Sequence, residues 1–565
     1  MNMSISASGN HVYTPLRALE AHAERMQVQS LSDLLEAESV SAGQRADALS
    51  FTFKSLHIDL SKQRLTTETV ALLKQWAESC GLATRREALF SGAKVNTSEK
   101  RSALHMAARW PHSEALPGMQ EAVSFCQQQR GRMAEMVSRL HAGQWYGATG
   151  QAITDVVHIG VGGSDLGPKL VSTALANRSG STGLEVHYVS TMDGSQLLPL
   201  MKRLNPATTL LVLASKSFTT ADTQFNVRTA LAWLSQALEV DEAAVCRHQM
   251  IGVSTRPEKM SSFGIPETQQ LVFKEWIGGR FSLWSPIGVS VAIELGMEVF
   301  DALLDGAHAM DRHFLEAPIE QNLPVLMALV GAWNCQFLKI PTHAVLPYDG
   351  RLKYLPAYLQ QLEMESNGKS VGLDGRSVNH TTCPILWGDV GPDGQHAFYQ
   401  LLHQGTHTVS ADFVAVAGRG LREDGVNVSE EVAQRLKAQE QLTLAHCLAQ
   451  SQLFALGDDA IPMALRGYMA QGYRGNQPNS VVLLKRLDAW SLGALMAMYE
   501  HKVFTQSVLW HLNPFDQPGV ELGKQLATSL YQTLANEPVV HMNIEDVSTA
   551  QLLSKLNAWR DPSEW

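Results

Sequence analysis

Closely spaced cysteines are missing from this 565-residue sequence. Its six cysteines, Cys80, Cys126, Cys246, Cys335, Cys383 and Cys447, lie far apart and form no C-x-x-C pair. That usage suits reduced cytosolic thiols and argues against both a disulfide framework and a cysteine zinc site. No apolar run approaches the ~20 residues that a membrane span needs. The stretch MNMSISASGNHVYTPLRALEAHAERM lacks the basic-then-apolar pattern of a secretory signal. Positive charge is not in excess either. The formal net charge of −10 argues against duplex nucleic acid as a main partner. Internal repeats and low-complexity segments are also lacking. These absences predict a cytoplasmic protein with no membrane or nucleic-acid partner.

What is present is an ordinary globular composition, 45% hydrophobic and 18% charged, in a chain long enough for several domains. Up to about residue 120 the pattern reads mostly helical, as in LRALEAHAERMQVQSLSDLLEA and TTETVALLKQWAESCGL. Short β-branched runs then alternate with helical segments: DVVHIGVGG, LEVHYVS, TLLVLAS and QMIGVST. Such alternation predicts parallel strands with covering helices. Beyond Gly296, helix-rich sequence precedes a second strand series, THAVLPY, CPILWGD, DFVAVAG and SVVLLK. Two α/β layers of unequal size fit best, the smaller inserted in mid-chain. The expected division is a helical part of the larger domain at 1–125, a smaller α/β/α domain at 126–295, and the larger α/β/α domain with C-terminal helices at 296–565.

Two loops stand out. VVHIGVGGSDLGPKL places Gly160, Gly162, Gly163 and Gly167 where a strand gives way to a helix, a geometry whose backbone amides bind anions. A dinucleotide fingerprint starting at Gly160 fails at Asp165, and a Walker loop starting at Gly162 fails at Pro168. The later Gly368-Lys369-Ser370 also fails as a Walker loop, because Glu363 stands where glycine is required. One βαβ unit further on, LLVLASKSFTTADTQ gathers Ser215, Ser217, Thr219, Thr220 and Thr223 around Lys216. A polar turn with a helix N-cap at Thr220 is one reading; a cradle for an oxyanion is the other. Ligand crevices lie beyond the carboxyl ends of parallel strands, so both loops can open on one crevice. No acidic magnesium site accompanies them, which argues for a phosphate held rather than transferred.

Charged and polar groups complete the candidate chemistry. Arg280 follows two glycines in GGRFSLWSPIGVS, and Glu363 and Glu365 fall in QQLEMESNGKS. A partly buried glutamate lining a crevice can act as a general base near neutral pH. His396 stands at the mouth of a helix in PDGQHAFYQLLHQGTH, and His403 reads as a packing residue. FDQPGVELGKQLATSL offers Gln517, Glu521 and Lys524, the last two spaced as a surface ion pair. A carboxylate, an imidazole, a lysine, an arginine and a phosphate cradle together suit the migration of a carbonyl along a sugar phosphate.

These motifs resemble the glucose-6-phosphate isomerase (phosphoglucose isomerase) family over most of the chain. IGVGGSDLGP, SKSFTTADT, GGRFSLWSPIG, MESNGK, GQHAFYQLLHQGT and LGALMAMYEHKVF…NPFDQPGVELGK occur in the family's order. The resemblance implies two α/β/α sandwich domains of the sugar-isomerase type, with mainly parallel sheets and extra N-terminal helices. It implies interconversion of glucose 6-phosphate and fructose 6-phosphate through a cis-enediol, with no metal and no cofactor. Glu365 then corresponds to the base, Arg280 to the cation beside the enediolate, and His396 and Lys524 to the ring-opening pair. Gly163, Ser164, Ser215, Lys216, Ser217, Phe218, Thr219 and Thr220 match the sugar-phosphate-binding stretches, and Gln361 and Gln517 match pocket-lining residues. The family is homodimeric, and the resemblance implies that His396 reaches the neighbouring subunit's site.

The departures are small. Ser217 replaces the family's usual threonine and Asp222 its usual glutamate, each keeping the functional group; Thr191 stands where asparagine is common. Two other readings remain open at this point: a non-catalytic sugar-phosphate sensor, which has no need of Arg280, Glu365, His396 and Lys524 together, and a broader isomerase that also accepts mannose 6-phosphate.

Overall fold

The β-branched runs form strands. A computed structural model describes residues 9–36, 42–176, 183–418, 428–465, 472–535 and 546–560. Among them are eleven strands: β1 (Ser50–Phe53), β2 (Leu56–Asp59), β3 (Asp155–Ile159), β4 (Glu185–Val189), β5 (Thr209–Ala214), β6 (Met250–Ser254), β7 (Gln270–Val272), β8 (Thr342–Pro347), β9 (Ile385–Trp387), β10 (Ser410–Gly418) and β11 (Asn479–Arg486). They make a five-stranded sheet, β4-β3-β5-β6-β7, and a six-stranded sheet, β1-β2-β11-β10-β8-β9. The first is parallel throughout. In the second only the β1–β2 hairpin and its contact with β11 are antiparallel. The mixed α/β fold with mainly parallel sheets therefore stands as expected. β5 and β6 are buried at every position, as strands covered on both faces must be.

Two strand segments differ from the sequence reading. The hairpin β1–β2 lies inside the stretch read as helical, and β7 was not anticipated. Both are short, and neither extends the long apolar runs that mark central strands. β2 is held by its register on β11, from Asp59 opposite Val481 to Leu56 opposite Leu484, a partner more than 400 residues away.

Strand order locates the crevices. From β3 the chain goes to β4 on one side and then crosses to β5 on the other, so the loops after β3 and β5 flank a switch point. The larger sheet repeats the arrangement between β8 and β10. After β8 the chain forms the helix Leu355–Asn367, which carries Gln361, Glu363 and Glu365.

The helix Ala489–Leu509 is buried along its length, including Glu500, His501 and Lys502. Buried charges need partners, and each has one. Arg109 donates to Asp311 at 2.6 and 2.8 Å and to Glu500 at 2.6 Å, and His501 lies 2.7 Å from Asp311. Burial alone would raise the Asp311 carboxyl, but Arg109 and His501 hold it down to about 2. Residues 516–565 form a separate compact unit, whose described part contains the helices Glu521–Leu534 and Val547–Trp559.

Candidate active site

The glycine loop turns tightly because little else fits. Gly162 has φ +57°, and a Cβ there would meet the Gln361 amide at 3.0 Å; a Cβ on Gly163 would stand 1.9 Å from the Gly279 carbonyl oxygen. The loop thus packs backbone to backbone against the segment that presents Arg280, and the Ser282 hydroxyl donates to the Gly163 carbonyl at 3.3 Å. Ser164 is buried, and its carbonyl lies 2.7 Å from His158 Nε2; the other ring nitrogen, Nδ1, lies 2.6 Å from the Ser290 hydroxyl. Burial lowers the His158 imidazole to about 4.

Arg280 is buried and held on three sides. Its Nη1 lies 3.3 Å from Glu365 Oε1, its Nε donates to the Ser366 hydroxyl at 2.7 Å, and its Nη2 donates to the Pro514 carbonyl. Glu365 keeps 23% side-chain exposure, and its Oε2 has no hydrogen-bond partner among the described residues. An unsatisfied buried carboxylate oxygen calls for a reason, and accepting a proton from a ligand is one. Glu363, two residues earlier, has a different environment. It is 2% exposed and pairs with Lys502 at 2.6 Å in the core.

The hydroxyl loop satisfies much of its own polarity. The Ser215 hydroxyl accepts from Phe218 N at 3.2 Å and lies 3.4 Å from Thr220 Oγ1, while Thr219 donates to Ser217 Oγ from its backbone and its hydroxyl. Thr220 occupies the N-cap of the helix Ala221–Leu238, yet its side chain makes no capping bond. The capping reading is therefore not what the hydroxyl does, and it takes none of the first-turn amides. Phe218, at φ +58°, buries its ring against Phe263, so only its backbone faces outward. Lys216 does not extend from the loop into open space: its ammonium lies against the carbonyls of Glu275 and Ile277.

The structure therefore brings together Gly162, Gly163, Arg280, Gln361 and Glu365, with the hydroxyl loop joined to them through Lys216. His396 stands apart. It is exposed at the end of the helix Gly391–Gln395, and its side chain makes no hydrogen bond or ion pair among the described residues. His403 is buried and bonded to Gln450 at 2.7 Å, the packing role expected of it. Gln517 and Lys524 belong to the separate C-terminal unit, where Lys524 pairs with Glu521 at 2.9 Å, both more than half exposed. Sequence reasoning missed Ser366, the Pro514 carbonyl, Ser282 and His158. Ser366 was visible within MESNGK and His158 as a polar residue in an apolar strand; the Pro514 carbonyl carries no signal in sequence.

One group of potential metal ligands occurs among the described residues: Asp155, Glu185 and His187, at the starts of β3 and β4. Both His187 nitrogens are already engaged there, Nε2 with Asp155 at 3.0 Å and Nδ1 with Arg203 at 3.1 Å.

A glycine turn and a hydroxyl loop at the carboxyl ends of parallel strands, the turn packed on the segment that bears the Arg280–Glu365 pair, are features of a parallel α/β protein, a class whose ligand crevices lie at sheet switch points. The family model for phosphoglucose isomerase matches residues 59–553, and the chain belongs to that family. It is 52% identical over 492 residues to a glucose-6-phosphate isomerase 2 of Chromohalobacter salexigens, covering 85% of this chain and 87% of that one. It is 48% identical over 561 residues to a glucose-6-phosphate isomerase of Acinetobacter baumannii, covering 98% of this chain and 99% of the other. A crystal structure of a glucose-6-phosphate isomerase from Chlamydia trachomatis matches the fold with TM-score 0.80 at 29% identity, over 96% of this chain and 98% of that chain.

Proposed function

We propose that this protein interconverts glucose 6-phosphate and fructose 6-phosphate. The observation that carries the reading is the Glu365 carboxylate, with one oxygen on Arg280 and the other, Oε2, without a hydrogen-bond partner among the described residues. From open-chain glucose 6-phosphate, Oε2 takes the proton on C2. The C–H electrons form the C1=C2 bond, and negative charge collects on O1, where Arg280 stabilises it. Glu365 returns the proton to C1 while the C2 hydroxyl proton passes to O1, leaving the C2 ketone. The hydroxyl loop from Ser215 to Thr220, with Gly163 and Ser164, anchors the phosphate, so that binding energy remote from the reaction orients C1 and C2 against the base. Gln361 and Gln517 line the sugar.

His396 and Lys524 open and close the ring. His396 serves the site of a second subunit in a homodimer; its exposure and the lack of a side-chain partner among the described residues support this. The chain divides at about residues 125 and 295, each α/β/α domain being built on one of the two sheets. The protein works in the cytoplasm; no helix among the described residues is long and apolar enough to cross a membrane.

The test is a coupled assay of purified protein with fructose 6-phosphate. Turnover in the wild type and its loss in Glu365→Gln support the reading; equal turnover in both would overturn it.

A further inference from the structure

Lys216 sits in the middle of the hydroxyl loop, yet its ammonium turns away from the hydroxyls. It donates to the carbonyls of Glu275 at 3.1 Å and Ile277 at 3.0 Å, and lies 3.4 Å from Glu275 Oε2. An ammonium has three protons, and here three acceptors face it. At its other end, the Lys216 carbonyl accepts from Thr255 N at 3.2 Å and from the hydroxyls of Ser254 and Thr255 at 3.0 and 2.9 Å. Glu275 is a junction in its own right: Arg101 and Arg256 each reach its carboxylate at 2.9 Å, as does the Thr255 hydroxyl. Burial lowers the Lys216 ammonium below its ordinary value while Glu275 acts in the opposite sense, as for a cation enclosed with its counter-ion. Directly after Ile277 come Gly278, Gly279 and Arg280. The two glycines leave that short stretch little stiffness of its own, so its path depends on what holds the carbonyls before it.

We propose that Lys216 is a positioning residue for isomerisation, whose ammonium ties the hydroxyl loop to the segment presenting Arg280 instead of binding the substrate phosphate. This rests on the roles proposed above for the loop and for Arg280. Losing the tie lets Arg280 shift relative to the phosphate anchor, and a displacement of roughly 1 Å can lower turnover by about 10²-fold. Phosphate affinity, set by loop amides and hydroxyls, changes little.

Full-length Lys216→Met, which keeps the aliphatic stem, is compared with wild type in steady-state kinetics on fructose 6-phosphate and in competitive inhibition by inorganic phosphate. We expect kcat to fall roughly 10- to 100-fold while KM and the phosphate inhibition constant stay within about threefold. In an Arg280→Ala background the same change should cost less than about threefold, because the group it positions is gone. A rise of tenfold or more in both KM and the phosphate constant at unchanged kcat would make Lys216 a phosphate ligand and overturn the proposal, as would full multiplication of the two losses. Should Lys216→Met not fold, Glu275→Gln removes the carboxylate end of the same tie. It should lower kcat in the same direction, and unchanged kcat there is equally fatal. Failure of the isomerase reading itself looks different, since the wild type would then not turn over fructose 6-phosphate at all.

Discussion

Arg280 Nη1 stands 3.3 Å from Glu365 Oε1, while Glu365 Oε2 has no hydrogen-bond partner among the described residues. The guanidinium thus fixes one side of the carboxylate and leaves the other to act. Replacing Glu365 with Gln keeps the shape and removes the basic oxygen. Turnover should fall by about 10²–10⁴-fold, the usual contribution of a positioned general base. Binding of a sugar-phosphate inhibitor, followed by calorimetry, should persist.

Arg280→Ala should cost about 3–4 kcal/mol in the barrier, the range for a buried donor at developing negative charge. The variant also leaves the Ser366 hydroxyl without its Nε donor. Arg280→Lys should recover only part of the rate, because one ammonium cannot reproduce a planar fork that reaches Glu365, Ser366 and Pro514 in different directions. Steady-state kcat/KM of the two variants checks the order.

Glu363 and Glu365 should part company under mutation. Glu363 also leaves one oxygen, Oε1, without a partner among the described residues, but it is sealed in the core against Lys502. Glu363→Gln takes from the buried Lys502 ammonium its hydrogen-bonded counter-ion and should destabilise the fold by about 3 kcal/mol. The folded fraction should keep its chemistry. Thermal unfolding beside activity per folded molecule separates the two glutamates, and an inactive but fully stable Glu363→Gln would contradict the assignment.

His158 gives the protein an acid sensitivity. Its imidazole ordinarily titrates at 6.5 and is pushed down to about 4 by burial, so between these values the unfolded chain binds a proton that the folded one does not. Its contribution is complete above pH 6.5 and is lost as pH falls toward 4, about 3 kcal/mol in all. Because its ring holds the Ser164 carbonyl, the glycine loop is the place where the loss is felt. Melting temperature against pH should fall less steeply over this window in His158→Asn than in the wild type.

His396 offers a test of subunit sharing. Mixing Glu365→Gln and His396→Ala chains, with subunit exchange verified by mass, should restore one working site per hybrid dimer. Activity that never exceeds the sum of the two parents would place each site within one chain.

The sequence by itself determined the parallel α/β class and the places of the glycine and hydroxyl loops. Each of these is a local pattern: β-branched runs, glycines at a strand end, hydroxyls at a helix start. It also marked Arg280, Glu365 and Gln361, though only as candidates in separate segments. Tertiary structure decided what local pattern cannot carry. It gave Glu363 and Glu365, identical side chains two positions apart, different surroundings, turning one into the core against Lys502 and the other toward Arg280. It turned Lys216 away from its neighbouring hydroxyls onto carbonyls some sixty residues further along. It also paired the hairpin β1–β2 with β11. The physical reason is the same in each case. Whether a charge serves structure or chemistry depends on which partners and how much water surround it, and those come from parts of the chain tens to hundreds of residues apart.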